Sequence, residues 1–136
     1  MVENISPAQT WEALRTDPMA RLVDVRTNAE WAYVGLPDLS ETGQDPILIP
    51  WQLFPTMQVN PAFTDNMREA GLIPGNKIYF LCRSGVRSLA AAAAALQAGF
   101  PAAYNILEGF EGPPNEHGHR GHLTGWKVDN LPWRQR

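Results

Sequence analysis

At 136 residues, 44% apolar and 18% charged, the chain has the composition of a globular protein long enough to bury a hydrophobic core. A net charge of −3 excludes a broad basic footprint for nucleic acid or an anionic membrane, so an anionic ligand needs a local positive site. A single cysteine excludes both an internal disulfide and an internal resolving thiol, and fits a reducing compartment. Met1 to Ser6 lacks the basic and apolar regions of a signal peptide. The longest apolar stretch, Leu89 to Leu96, is too short to span a bilayer. The expectation is one domain over residues 1–136, cytoplasmic, with neither a membrane nor a nucleic-acid partner.

Ser6-Pro7-Ala8-Gln9 reads as a helix start, with Ser6 at the N-cap, Pro7 at the first helical position and Gln9 as the reciprocal partner. The helix runs to about Arg15, with Trp11 and Leu14 inward, and Thr16-Asp17-Pro18 ends it. Arg21 to Val25 is a buried strand ending at Arg26. Asn28 to Tyr33 is a short helix with Asn28 as its cap. Gly35 to Pro46 is a loop of turn formers. Ile47 to Ile49 is a short strand stopped by Pro50, and Trp51 to Val59 is apolar but irregular. Asn60-Pro61 opens a helix to about Ala70, closed by Gly71. Lys77 to Leu81 is the next strand, and an alanine-rich helix covers Ser88 to Ala98. Ala102 to Leu107 is the last strand, Glu108 to Gly125 a Gly/Pro/His loop, and Trp126 to Arg136 a tail. Strands alternating with helices predict an α/β fold, a parallel sheet with both faces covered. Ligands of such sheets bind beyond the carboxyl ends of the strands.

Cys82 stands at such an end, opening the run Cys82-Arg83-Ser84-Gly85-Val86-Arg87-Ser88. A lone cysteine after a strand is ordinarily a small core hydrophobe. The surrounding residues argue otherwise. Gly85 permits a tight curl that turns successive N–H groups inward. Ser84 adds a hydroxyl donor, Arg83 and Arg87 add two positive charges, and Ser88 is placed to cap the helix. A strand-to-helix turn of this composition favours a thiolate and an anion side by side, so Cys82 is the candidate nucleophile. Arg83, Ser84, Gly85, Val86 and Arg87 are the candidate binding residues. No histidine base is required, since the loop itself supplies the activation.

The segments Leu22-Val23-Asp24-Val25-Arg26 with Glu30-Trp31, Phe80 to Ser88, Asn105 to Phe110, and Gly125-Trp126 together resemble a rhodanese domain, in order and over nearly the whole chain. The resemblance implies a central parallel five-stranded sheet flanked by helices on both faces. It also implies a sulfurtransferase. The Cys82 thiolate would take the outer sulfur of a small anionic donor such as thiosulfate and become a persulfide. Cyanide, an external thiol or a protein acceptor would then remove that sulfur, in covalent ping-pong catalysis. No metal or cofactor is implied. Two departures from the family pattern, Val34 to Asp38 in place of His-Ile-Pro-Gly-Ala and Gly109-Phe110 in place of Gly-Gly, are expected at the pocket rim, where donor and acceptor are chosen.

Two other functions share these features. One is a non-catalytic module in which the loop docks a partner or senses an anion. The other is a phosphatase-like hydrolase, which the loop length disfavours. Cys82 to Arg87 counts six residues, whereas phosphatases and arsenate reductases use a longer loop whose wider ring of donors fits a tetrahedral oxyanion. Asp24 and Arg26 read as braces at a strand end, with Arg26 pairing to Glu30. Glu116, His117, His119 and His122 lie in a Gly-rich stretch that nothing rigidifies. They read as a solvated loop rather than a metal site, with a rim position open to them because the loop follows a strand's carboxyl end. Trp51, Phe54, Trp126 and Trp133 read as packing residues.

Overall fold

A computed structural model describes residues 2–135; Met1 and Arg136 lie outside the described residues. The elements in chain order are β1 (Glu3–Ile5), α1 (Pro7–Thr16), β2 (Ala20–Asp24), α2 (Asn28–Tyr33), β3 (Leu36–Pro37), β4 (Ile47–Leu48), β5 (Gln52–Leu53) and β6 (Gln58–Val59). There follow α3 (Phe63–Glu69), β7 (Lys77–Leu81), α4 (Val86–Gln97), β8 (Ala103–Ile106) and β9 (Trp133–Arg134). Five strands form the central sheet in the order β1-β8-β7-β2-β4, every pair parallel. β7 is its middle strand. Among the described residues no helix is long and apolar enough to cross a membrane.

The period of two along β7 assigns its side chains to two cores. Ile78, Phe80 and then Cys82 join Val23, Phe63 and Met67 on one face, under α3 and α4. Tyr79 and Leu81 join Leu14, Leu22, Phe110 and Trp126 on the other, with α1. Cys82 thus continues the alternation onto the face that α4 covers. That helix buries Ser88, Ala91, Ala92 and Ala95, a stripe at helical spacing. Alanine there combines high helix propensity with a side chain short enough for close approach to the sheet.

Local signals explain most of the ends. Ser6 and Gln9 form the capping box expected of them. Gly71, with φ +90, follows the end of α3. Other expectations are corrected. The cap of α2 is Thr27, not Asn28, because Thr27 stands three residues before Glu30 and the two close a capping box. Helix α3 starts at Phe63, since Asn60 spends its side chain on a turn, accepting from the Ala62 N–H and donating to the Pro50 carbonyl. The irregular stretch after Trp51 contains a small hairpin, β5–β6. Within the expected 35–46 loop, β3 pairs antiparallel with β9 of the tail. Trp51 packs edge-on against Phe63, and Trp126 is fully buried beside Trp11. Phe54, in contrast, is 59% exposed at the hairpin turn.

Candidate active site

Cys82 is the first residue past β7 and, though buried, lines a cavity of about 380 Å³. Arg83, Ser84, Val86 and Arg87 of the loop line that cavity, with Glu30 from α2 and Gln52 and Met57 from the hairpin. Gly85 has φ +106 and caps α4 without a side chain. A Cβ there would meet nothing closer than 3.5 Å, so its backbone angle, not lack of space, demands glycine. Its N–H donates to Cys82 Sγ at 3.1 Å.

The loop is shaped from behind. The N–H of Phe110 donates to the Cys82 carbonyl at 2.8 Å, and those of Glu111 and Gly112 to the Arg83 carbonyl at 2.9 and 3.1 Å. In a trans peptide the N–H points opposite the carbonyl. Tying back these two carbonyls therefore turns the N–H groups of Arg83 and Ser84 away from the 110–112 segment, and neither meets an acceptor among the described residues. Gly109 makes the approach feasible. Its φ is +60, and a Cβ on it would stand 2.6 Å from the Arg83 carbonyl carbon. Gly109→Ala is expected to push the segment off the loop, costing about 1–3 kcal/mol by overpacking and lowering turnover more than stability. Urea unfolding set beside steady-state rates checks this, and an unchanged rate would show that the segment does not shape the loop. The Gly109-Phe110 pair thus sits behind the sulfur rather than at the rim. Val34 to Asp38 also stays out of the cavity lining, because Leu36 and Pro37 are buried against β9.

Ser88 does not cap α4. It is the third residue of the helix, fully buried, with its hydroxyl 3.2 Å from Cys82 Sγ and donating to Asn105 Oδ1 at 2.5 Å. Asn105 Nδ2 donates to Asn4 Oδ1 across the β1–β8 pair. With the hydroxyl proton on Asn105, a thiol proton on the sulfur points at Ser88 Oγ. A thiolate draws the hydroxyl proton toward itself instead. Sequence reading missed this contact; Ser88 six residues past the cysteine gives it only once the helix start at Val86 is known.

The charges pair differently from the expectation. Arg26 turns away from Glu30 to Asp24, its Nη2 and Nε donating to the carboxylate at 2.7 and 2.9 Å, both side chains fully buried. Glu30 instead takes Arg87 in a bidentate pair at 2.6 and 2.9 Å. Burial opposes the charge of each partner, and their mutual contact outweighs it. Glu30 is held below the usual carboxylate range and Arg87 above its ordinary value. Arg83, exposed, meets no carboxylate among the described residues. His117, His119 and His122 line neither the cavity nor, among the described residues, any metal-holding cluster. His117 and His119 instead have their N–H groups bound to the Asn115 side chain in a surface turn.

A family model described as the rhodanese-like domain matches residues 6–112. The chain is 45% identical to Rv0390 from M. tuberculosis, whose crystal structure superposes with a TM-score of 0.90 over 99% of this chain and 98% of that one. It is 38% identical to an uncharacterized protein of Rickettsia rickettsii, over 98% of each chain. Its fold also resembles a polysulfide-sulfur transferase homodimer from Wolinella succinogenes, with a TM-score of 0.67 at 20% identity, covering 99% of this chain and 80% of that one.

Proposed function

This chain belongs to the rhodanese-like domain family, and from that premise we propose that it acts as a single-domain sulfurtransferase with Cys82 as the carrier of the sulfur. The observation that supports this most is the Gly85 N–H directed at Cys82 Sγ, in a loop whose Cys82, Arg83 and Arg87 line one cavity. The Cys82 thiolate attacks the outer sulfur of a donor such as thiosulfate. The donor's S–S bond breaks, sulfite departs with the electron pair, and a persulfide stays on Cys82. The N–H groups of the loop and of the first turn of α4 stabilise the negative sulfur. An external thiol, cyanide or a protein-borne acceptor then takes the outer sulfur and restores the thiolate. With no second cysteine in the chain, the acceptor comes from outside.

Mass spectrometry of the intact protein after exposure to thiosulfate is expected to show one added sulfur, mapped to Cys82 and removed by cyanide. An unmodified Cys82 under conditions that load a control sulfurtransferase would leave the non-catalytic docking module as the better reading.

A further inference from the structure

Glu30 and Arg87 form an ion pair among the residues that line the cavity. Glu30 cannot release Arg87 by simple rotation, because the Thr27 N–H and hydroxyl both donate to Glu30 Oε1, at 3.2 and 3.1 Å. The charged side chains that line the cavity are Arg83, Arg87 and Glu30, and the Cys82 thiolate that the sulfurtransferase reading requires adds a second anion. Two cations and two anions thus line the cavity, and the partial positive charge at the start of α4 is the remaining surplus. A donor with two negative charges overfills such a site. Two other lining residues are of another kind: Met57 and Val86 are apolar and 39% and 75% exposed.

Resting on the sulfurtransferase reading, we propose that the site selects monoanionic organic thiosulfonates, R–SO2–S⁻, over dianionic thiosulfate, with Glu30 as the selectivity residue and Met57 and Val86 as the surface for R. The two donors present the same outer sulfur and differ by an oxygen anion exchanged for an apolar group. The Cys82 thiolate forms a bond to the outer sulfur, the S–S bond breaks, and R–SO2⁻ leaves with the electron pair. One anion enters and one leaves, and no oxidant or reductant is consumed. The cavity of about 380 Å³ has room for an aryl group beside the sulfur.

The test compares methanethiosulfonate, benzenethiosulfonate and thiosulfate with cyanide as common acceptor. The wild-type kcat/KM is expected to favour benzenethiosulfonate by about tenfold or more, one unit of charge near the reacting atom being worth at least that factor in a partly dry site. Glu30→Gln retains the capping partner, since glutamine serves in the box as glutamate does. It is expected to raise kcat/KM for thiosulfate about tenfold and narrow the preference. Met57→Ser is expected to reduce benzenethiosulfonate use more than thiosulfate use. Circular dichroism confirms that each variant is folded. Should Glu30→Gln fail to fold, Arg83→Gln replaces it and is expected to slow thiosulfate more than methanethiosulfonate. Thiosulfate used as well as or better than the thiosulfonates, or a ratio untouched by the charge-removing variant, overturns the inference while leaving the sulfurtransferase reading intact. Failure of all three donors to place sulfur on Cys82 defeats that reading itself.

Discussion

Cys82→Ala is expected to lower sulfur transfer at least a thousandfold, to about the background of the assay, while the protein remains folded. The nucleophile is lost outright, since the chain holds no other thiol to replace it. The fold survives because the change deletes one buried heavy atom, leaving a small cavity worth about 1 kcal/mol. Its two sulfur contacts tolerate the loss. The Gly85 N–H belongs to a half-buried residue, and the Ser88 hydroxyl retains Asn105. Cys82→Ser restores volume and hydrogen bonding but not nucleophilicity, and is expected to be equally inactive. Parallel thermal melts and thiosulfate:cyanide assays of both variants decide the matter. Activity within tenfold of the wild type would move the chemistry to another group.

Asp24→Asn is expected to destabilise the fold by about 3–5 kcal/mol, a large part of the total stability of a domain this size. The substitution preserves shape and removes only charge. It would leave the Arg26 guanidinium fully buried without its counterion. The remaining partners do not replace that charge: the Gly35 carbonyl accepts from Nη2 at 2.7 Å, and the Phe110 ring lies 4.4 Å from the guanidinium carbon. The damage should reach the site, because Phe110 also holds the Cys82 carbonyl. Replacing both partners by apolar residues, Asp24→Leu with Arg26→Met, is expected to cost less than Asp24→Asn alone, since no unpaired charge is then buried. Chemical denaturation of the single and double variants checks this. A single-variant loss under about 1 kcal/mol would mean that the ring and carbonyl suffice.

Features that depend on neighbours in sequence were legible. The Ser6–Gln9 capping box, the strand Lys77–Leu81 and the alternation that sends Cys82 toward α4 all follow from spacing within a few residues. The parallel five-stranded sheet followed from the family resemblance and from the alternation of strand and helix. Thr27 was within reach too, as the Thr-x-x-Glu pattern stands in the sequence one residue before the cap expected. The ion pairs were not. Arg26 has acidic residues on either side of it in sequence, and only the fold decides for Asp24. Glu30 and Arg87 are separated by 57 positions and meet because β2 and β7 lie side by side in register. The hairpin wall was hidden for a related reason. Gln52 opens a strand of two residues and Met57 stands in the turn just before another, both strands too short for a period to show.

The tied-back carbonyls of Cys82 and Arg83 bear on how the sulfur is solvated. Water that stabilises an anion in bulk must reorient each time the charge appears or disappears. Here the N–H groups of Arg83 and Ser84 are turned away from the 110–112 segment by the bonds that hold the two carbonyls. On the proposed sulfurtransferase reading, such N–H groups would supply part of the solvation shell of a charged sulfur from the backbone, with little reorganisation as the transferred atom arrives or departs.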